Sequence, residues 1–236
     1  MTTPASPNIP ANASVPGPSA PVRRQGDVVD TTMMYAFHDG LRRDAVLIAS
    51  SAAAAGDDPA RLTATHFGWT LFKQFLVIHH TAEDDVLWPA LTALVDDRPD
   101  DLELLAALED EHTRIDPLVA AIDAALADAG ECHARLGDLA DALVTELTAH
   151  LVHEEKEALP LIGAVLPQAD WVKFADAQRD QVAQSRLAPS YVAWLLDGCP
   201  PERVTELAGN FPPPVLAQYR SAWKGEYERR NPWARG

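Results

Sequence analysis

The chain predicts an all-α fold, an up-down-up-down four-helix bundle, on three observations. Ala and Leu dominate its middle, where β-branched residues and Gly are sparse, and such composition favours helix. Short turns separate long amphipathic stretches, so consecutive helices run antiparallel. The chain also repeats itself: His79–His80–Thr81–Ala82–Glu83 leads to Trp88–Pro89, and 71 positions later (150 − 79 = 71) His150–Leu151–Val152–His153–Glu154 leads to Leu159–Pro160.

Residues 1–27 are rich in Pro, Ala, Ser, Thr and Asn and cannot bury enough apolar surface to offset the entropy of ordering, so they read as a disordered tail. The bundle spans 28–166. Asp30–Thr31–Thr32 offers capping oxygens for a first helix to about Ala55. Gly56–Asp57–Asp58–Pro59 stops it and starts a second over 60–88, ending or kinking near Pro89. Asp96–Asp97–Arg98–Pro99–Asp100 is a turn. A third helix over 101–129 should bend at Pro117 and end at Gly130, and a fourth over 133–159 should stop near Pro160. Residues 167–236 form a helical C-terminal extension packed on the bundle. Its shorter pieces, at 168–186, 189–197, 201–208 and 213–229, are separated by prolines, with Trp171, Trp194, Trp223, Tyr191 and Tyr219 supplying bulk.

Composition narrows the function. Apolar residues make up 47% of the 236, enough for a buried core, and 35 acidic against 19 basic residues give a formal charge of −16. Such a surface repels phosphate backbones and anionic lipids, which argues against nucleic-acid and membrane partners. Two cysteines, Cys132 and Cys199, make neither a disulfide framework nor a thiolate metal site. No apolar run reaches spanning length and no secretory leader is visible, so a cytoplasmic location is expected.

The repeat carries the chemistry. Residues i and i+4 share a helix face, so His79 and Glu83 point one way, as do His150 and Glu154. His38 lies 41 residues before His79 and His112 lies 38 before His150, distances suited to a helix, a turn and part of the next. Four helices thus offer His38, His79, Glu83, His112, His150 and Glu154 to one interior point. His80 and His153 are secondary candidates, because a neighbouring residue is rotated by about 100°. His66 and His133 have no carboxylate at matching spacing. Six nitrogen and oxygen donors exceed one tetrahedral zinc and suit two metals bridged by the carboxylates, with iron preferred over zinc or manganese. A small diatomic or peroxide ligand would fill the open positions. Phe72, Phe75, Leu108 and Ile115 share ligand faces and would exclude water. Tyr35 and Glu146 are candidates to hold imidazoles from behind.

The motifs HHTAEDDVLWP, LEDEH and HLVHEEKEALP resemble the hemerythrin-like (HHE cation-binding) family over about residues 30–162. The resemblance implies a four-helix bundle around a non-haem di-iron centre. In it His38, His79, His112 and His150 take the imidazole positions, and Glu83 and Glu154 bridge. Oxygen-carrying members bear a second histidine on the third helix, where this chain has Leu108 and Asp116 around His112, and they end with Asp one place further on, where this chain has Glu154. Fewer imidazoles fit redox chemistry or sensing better than reversible oxygen carriage. Trp194–Leu195–Leu196–Asp197–Gly198 resembles extensions of actinobacterial members. A ferritin-like carboxylate site needs Glu-x-x-His twice, and only Glu109-x-x-His112 fits. Three functions stay open: a di-iron protein reacting with dioxygen, peroxide or nitric oxide, a non-catalytic oxygen or iron binding or sensing module, and a structural metal bundle.

Overall fold

A computed structural model describes residues 29–54, 59–127 and 133–234. The described residues are helical, with no strand among them. The disordered-tail expectation, and the stops at Gly56–Asp58 and Gly130, lie outside the described residues.

Helix α1 is Thr32–Ala54. Asp30 starts it, its Oδ1 accepting from the Thr32 N–H at 3.0 Å. Helix α2 is Pro59–Ala82, α4 is Pro99–Ala127 and α5 is His133–His153. Around the bundle, α1 packs on α2, α2 on α4, α4 on α5 and α5 on α1, which closes the ring. Helix α4 runs through Pro117, which faces solvent, where water can replace the lost N–H bond. No helix among the described residues is long and apolar enough to cross a membrane.

The helix expected to stop near Pro160 does not, and the one expected to end or kink near Pro89 does not end there. Residues Glu83–Leu87 form a π-helical turn and α3, Trp88–Leu94, continues from it. Residues Glu154–Ala158 form a second π-turn and α6, Leu159–Val165, continues from that. In each, an N–H reaches back five residues, Trp88 to the Glu83 carbonyl and Leu159 to that of Glu154. A proline ring inside an α-helix collides with the carbonyl four residues back. Widening the turn before Pro89 and Pro160 relieves that collision without breaking the rod. Each π-turn begins at a repeat glutamate.

The extension comprises α7 (Gln168–Gln184), α8 (Ala188–Leu196), α9 (Pro201–Ala208) and a helix built of α10 (Pro213–Gln218), a π-turn and α11 (Lys224–Arg230). Helix α7 lies on α2 and on the Glu83–Leu87 turn, and α8 lies on α1. The anchor is Trp194, fully buried among Phe37, Phe75 and Tyr191. Its indole N–H donates to Asp44 Oδ2 at 2.7 Å. Arg43 binds the Trp194 and Asp197 carbonyls at 2.9 and 2.8 Å, and its Nε donates to Asp44. Gly40 lets the indole lie against α1: a Cβ there would stand 3.0 Å from two ring carbons.

Because its hydrogen bond fixes Trp194, Gly40→Val should overpack this contact and cost about 1–3 kcal/mol. A lowered urea midpoint is the expected readout, and an unchanged midpoint would show that the indole yields.

Candidate metal centre

The interior side chains form two overlapping sets. His38, His79, Glu83 and Glu154 each offer a donor atom within 4.8 Å of the others, and so do His80, Glu83, His112 and His150. Glu83 belongs to both: its Oε1 lies 3.2 Å from His79 Nε2 and its Oε2 lies 3.6 Å from His112 Nε2. Glu154 Oε2 lies 3.2 Å from His38 Nε2. The Nε2 atoms face inward in pairs, His38 to His79 at 3.0 Å and His112 to His150 at 3.2 Å. All seven side chains are buried.

The second set therefore contains His80, a fifth imidazole. The reason is where Glu83 sits. At about 100° per residue, His79 lies roughly 40° to one side of Glu83 and His80 roughly 60° to the other. The two histidines straddle the carboxylate and serve opposite sets, and His80 stacks on His112 with ring centroids 3.8 Å apart. In the second repeat the counterpart of His80 is Leu151 (80 + 71), a core residue. His153 corresponds instead to Ala82 (82 + 71), about 100° from its glutamate. The structure places it outside both sets, its side chain 34% exposed. Its Nδ1 donates to Glu111 Oε1 at 2.9 Å. His66 is exposed and in neither set.

Each of the four repeat imidazoles is held from behind at Nδ1. Glu155 Oε1 accepts from His38, Asp84 Oδ1 from His112 and Glu111 Oε2 from His150, each at 2.9 Å. The Gln178 carboxamide nitrogen lies 3.0 Å from His79 Nδ1. The three carboxylates set the tautomer of their imidazoles and leave Nε2 free to ligate. Glu111 and Glu155 read in sequence as flanking acids, and Asp84 and Gln178 escaped notice. A signal for one pair exists: Asp84 and Glu155 each follow a repeat glutamate and stand 71 apart (155 − 84). Glu146, expected behind His150, instead lies 3.6 Å from Arg114 toward solvent. Tyr35 packs beside the Met34 and Leu105 side of the core.

Electrostatics divide the set. Burial disfavours a charged imidazole at His38, but the charges and hydrogen bonds of Glu154 and Glu155 outweigh it and raise its pKa to about 9. Burial, and then neighbouring imidazoles, push His79 and His80 well down. Burial, and then the Glu154 charge, push Glu83 well up. Burial acts against Glu154 ionisation too, but the His38 charge prevails and lowers its pKa.

Both oxygens of Glu83, Glu154 Oε1 and His80 Nε2 are buried and receive no hydrogen bond. Leaving such groups without a partner costs about 1–3 kcal/mol each. Ionic or neutral, they call for a ligand of opposite character, and an oxygen-and-nitrogen donor set without thiolate fits iron, manganese or zinc.

The model of the Hemerythrin HHE cation binding domain matches residues 29–162, more than half of the chain. The protein belongs to this hemerythrin family of cation-binding helical bundles. Searches of curated proteins and of solved structures gave no match.

The placement of the two secondary histidines makes a direct prediction. His80→Ala should lower iron uptake measured by elemental analysis, as should His79→Ala and His150→Ala. His153→Ala and His66→Ala should keep full uptake.

Proposed function

We propose that the protein is a non-haem di-iron protein that reacts with dioxygen, peroxide or nitric oxide. The observation that carries this reading is the overlap of two donor sets at Glu83. A carboxylate with one oxygen toward each set is the arrangement that holds two cations at close range. His38, His79 and Glu154 would complete one set and His80, His112 and His150 the other. Iron, when bound, would supply electrons and open coordination positions for a small oxidant or diatomic ligand.

The chain's residues have separable tasks in this reading. Glu83 and Glu154 neutralise the paired cations. Glu155, Asp84 and Glu111 draw on the Nδ1 protons of His38, His112 and His150, which keeps each Nε2 inward and strengthens it as a donor. Phe75, Leu108, Ile115 and Leu147 are buried around the histidines and exclude water. Exclusion of water protects a reactive ligand from side reactions. Arg42 meets Glu155 at 2.8 Å, so the carboxylate behind His38 is itself ion-paired.

A second reading, oxygen or iron binding without turnover, gains from His80. The sequence pattern supplied four imidazoles and argued against reversible carriage on that ground, and a fifth weakens the argument. Anaerobic reconstitution with Fe(II), followed by air and then degassing, separates the two. Uptake of a pair of ions and an absorption band that persists after degassing, with consumption of added peroxide, are expected. A band that reverses on degassing supports the binding module instead. Zinc occupancy with no iron uptake overturns both.

A further inference from the structure

We infer that the C-terminal extension completes the metal centre, with Gln178 of α7 as a positioning residue for His79. The inference rests on the metal-binding reading above and concerns a residue outside the matched 29–162 segment.

The two halves of the bundle are nearly equivalent. The acid after each repeat glutamate crosses to the lone histidine of the other half: Asp84 to His112 and Glu155 to His38. The remaining two imidazoles differ. His150 is held by Glu111, the residue just before His112. The residue just before His38 is Phe37, which has no acceptor and stacks on the His79 ring with centroids 4.7 Å apart. The bundle therefore lacks on this side the partner it has on the other. Gln178 stands in that place.

Its position in α7 marks the same role. Trp171, Phe174 and Val182 are the buried residues of that helix, spaced seven, four and four from Gln178 and so on its face. Gln178 is the polar member of that apolar stripe, half-buried against α2 and directed at His79. A carboxamide can donate to a bare Nδ1 or accept from a protonated one, so it satisfies His79 in either tautomer. The amide nitrogen faces Nδ1 in the structure; when Nε2 ligates, a half-turn of the amide would present its oxygen to Nδ1–H. A neutral acceptor makes the imidazole a weaker donor than a carboxylate would. Gln178 thus acts on the His38/His79 set alone, as Glu111 acts on the set that contains His150.

Titration of the full-length protein with Co(II), followed by visible absorption, tests this. The unsubstituted chain should bind two ions. Gln178→Leu should weaken the binding of one of them by about 10–100-fold and leave the other in place. Gln178→Glu should tighten that same step beyond the unsubstituted chain and shift its bands. Far-UV circular dichroism monitors folding. A purely structural Gln178 would let the apolar Leu replace it with both steps and bands intact, and that result overturns the inference while leaving the metal site standing. If Gln178→Leu fails to fold, Gln178→Glu decides: unchanged affinity and bands overturn the inference. Failure of the unsubstituted chain to bind Co(II) or Fe(II) overturns the metal reading and this inference together.

Discussion

Two carboxylates, Glu83 and Glu154, lie fully buried in one cluster, and neither oxygen of Glu83 receives a hydrogen bond. Two anions that close cannot both persist without compensating charge. The protein's own answer is uneven: Glu154 draws on His38 and ionises, while Glu83 is driven toward its neutral form. A pair of cations removes the conflict at both residues. The inward imidazoles, the outward acids that hold them and the aromatic packing around them all serve this one electrostatic requirement.

Much of the arrangement was legible in the amino-acid order. The His-x-x-x-Glu repeat pointed to four of the seven inward side chains, because residues four apart share a helix face whatever surrounds them, and the upstream spacings of His38 and His112 added two more. The boundaries of the extension helices followed from prolines and came within a few residues of those observed. His80 was undervalued because its direction was measured from His79, when the carboxylate between the two sets is the proper origin. The same measure, applied to the second repeat, separates His153 from the centre. Gln178 could not be read as a partner, since nothing local relates it to a histidine 99 residues away. Only the docking of α7 on α2 brings them together.

The prolines illustrate a different limit. Pro160 reads as a stop and Pro89 as a stop or a kink, by the rule that a proline cannot continue an α-helix undisturbed. The rule holds, and the helix changes pitch upstream of each ring instead of ending. This keeps α3 and α6 coaxial continuations of the ligand helices. They carry Trp88, Leu91, Leu159 and Ile162 into the core that caps one end of the cluster. The opposite end is closed by aromatic residues from both bundle and extension, Phe37, Phe75 and Trp194 among them.

The widened turns also set a mechanical rule for the chain. Each holds one residue more than an α-turn can accommodate between its first carbonyl and the N–H that closes it. Deleting a single residue between Glu83 and Trp88, or between Glu154 and Leu159, would remove that surplus: the rod would rewind to ordinary pitch with its downstream faces little turned, and the proline ring would again meet the carbonyl four residues before it. Inserting one instead would add a residue the turn cannot absorb and swing everything downstream by about 100°. The apolar faces of α3 and α6 would then turn away from the core they complete. The length of these two stretches is therefore constrained together with the identity of Glu83, Asp84, Glu154 and Glu155.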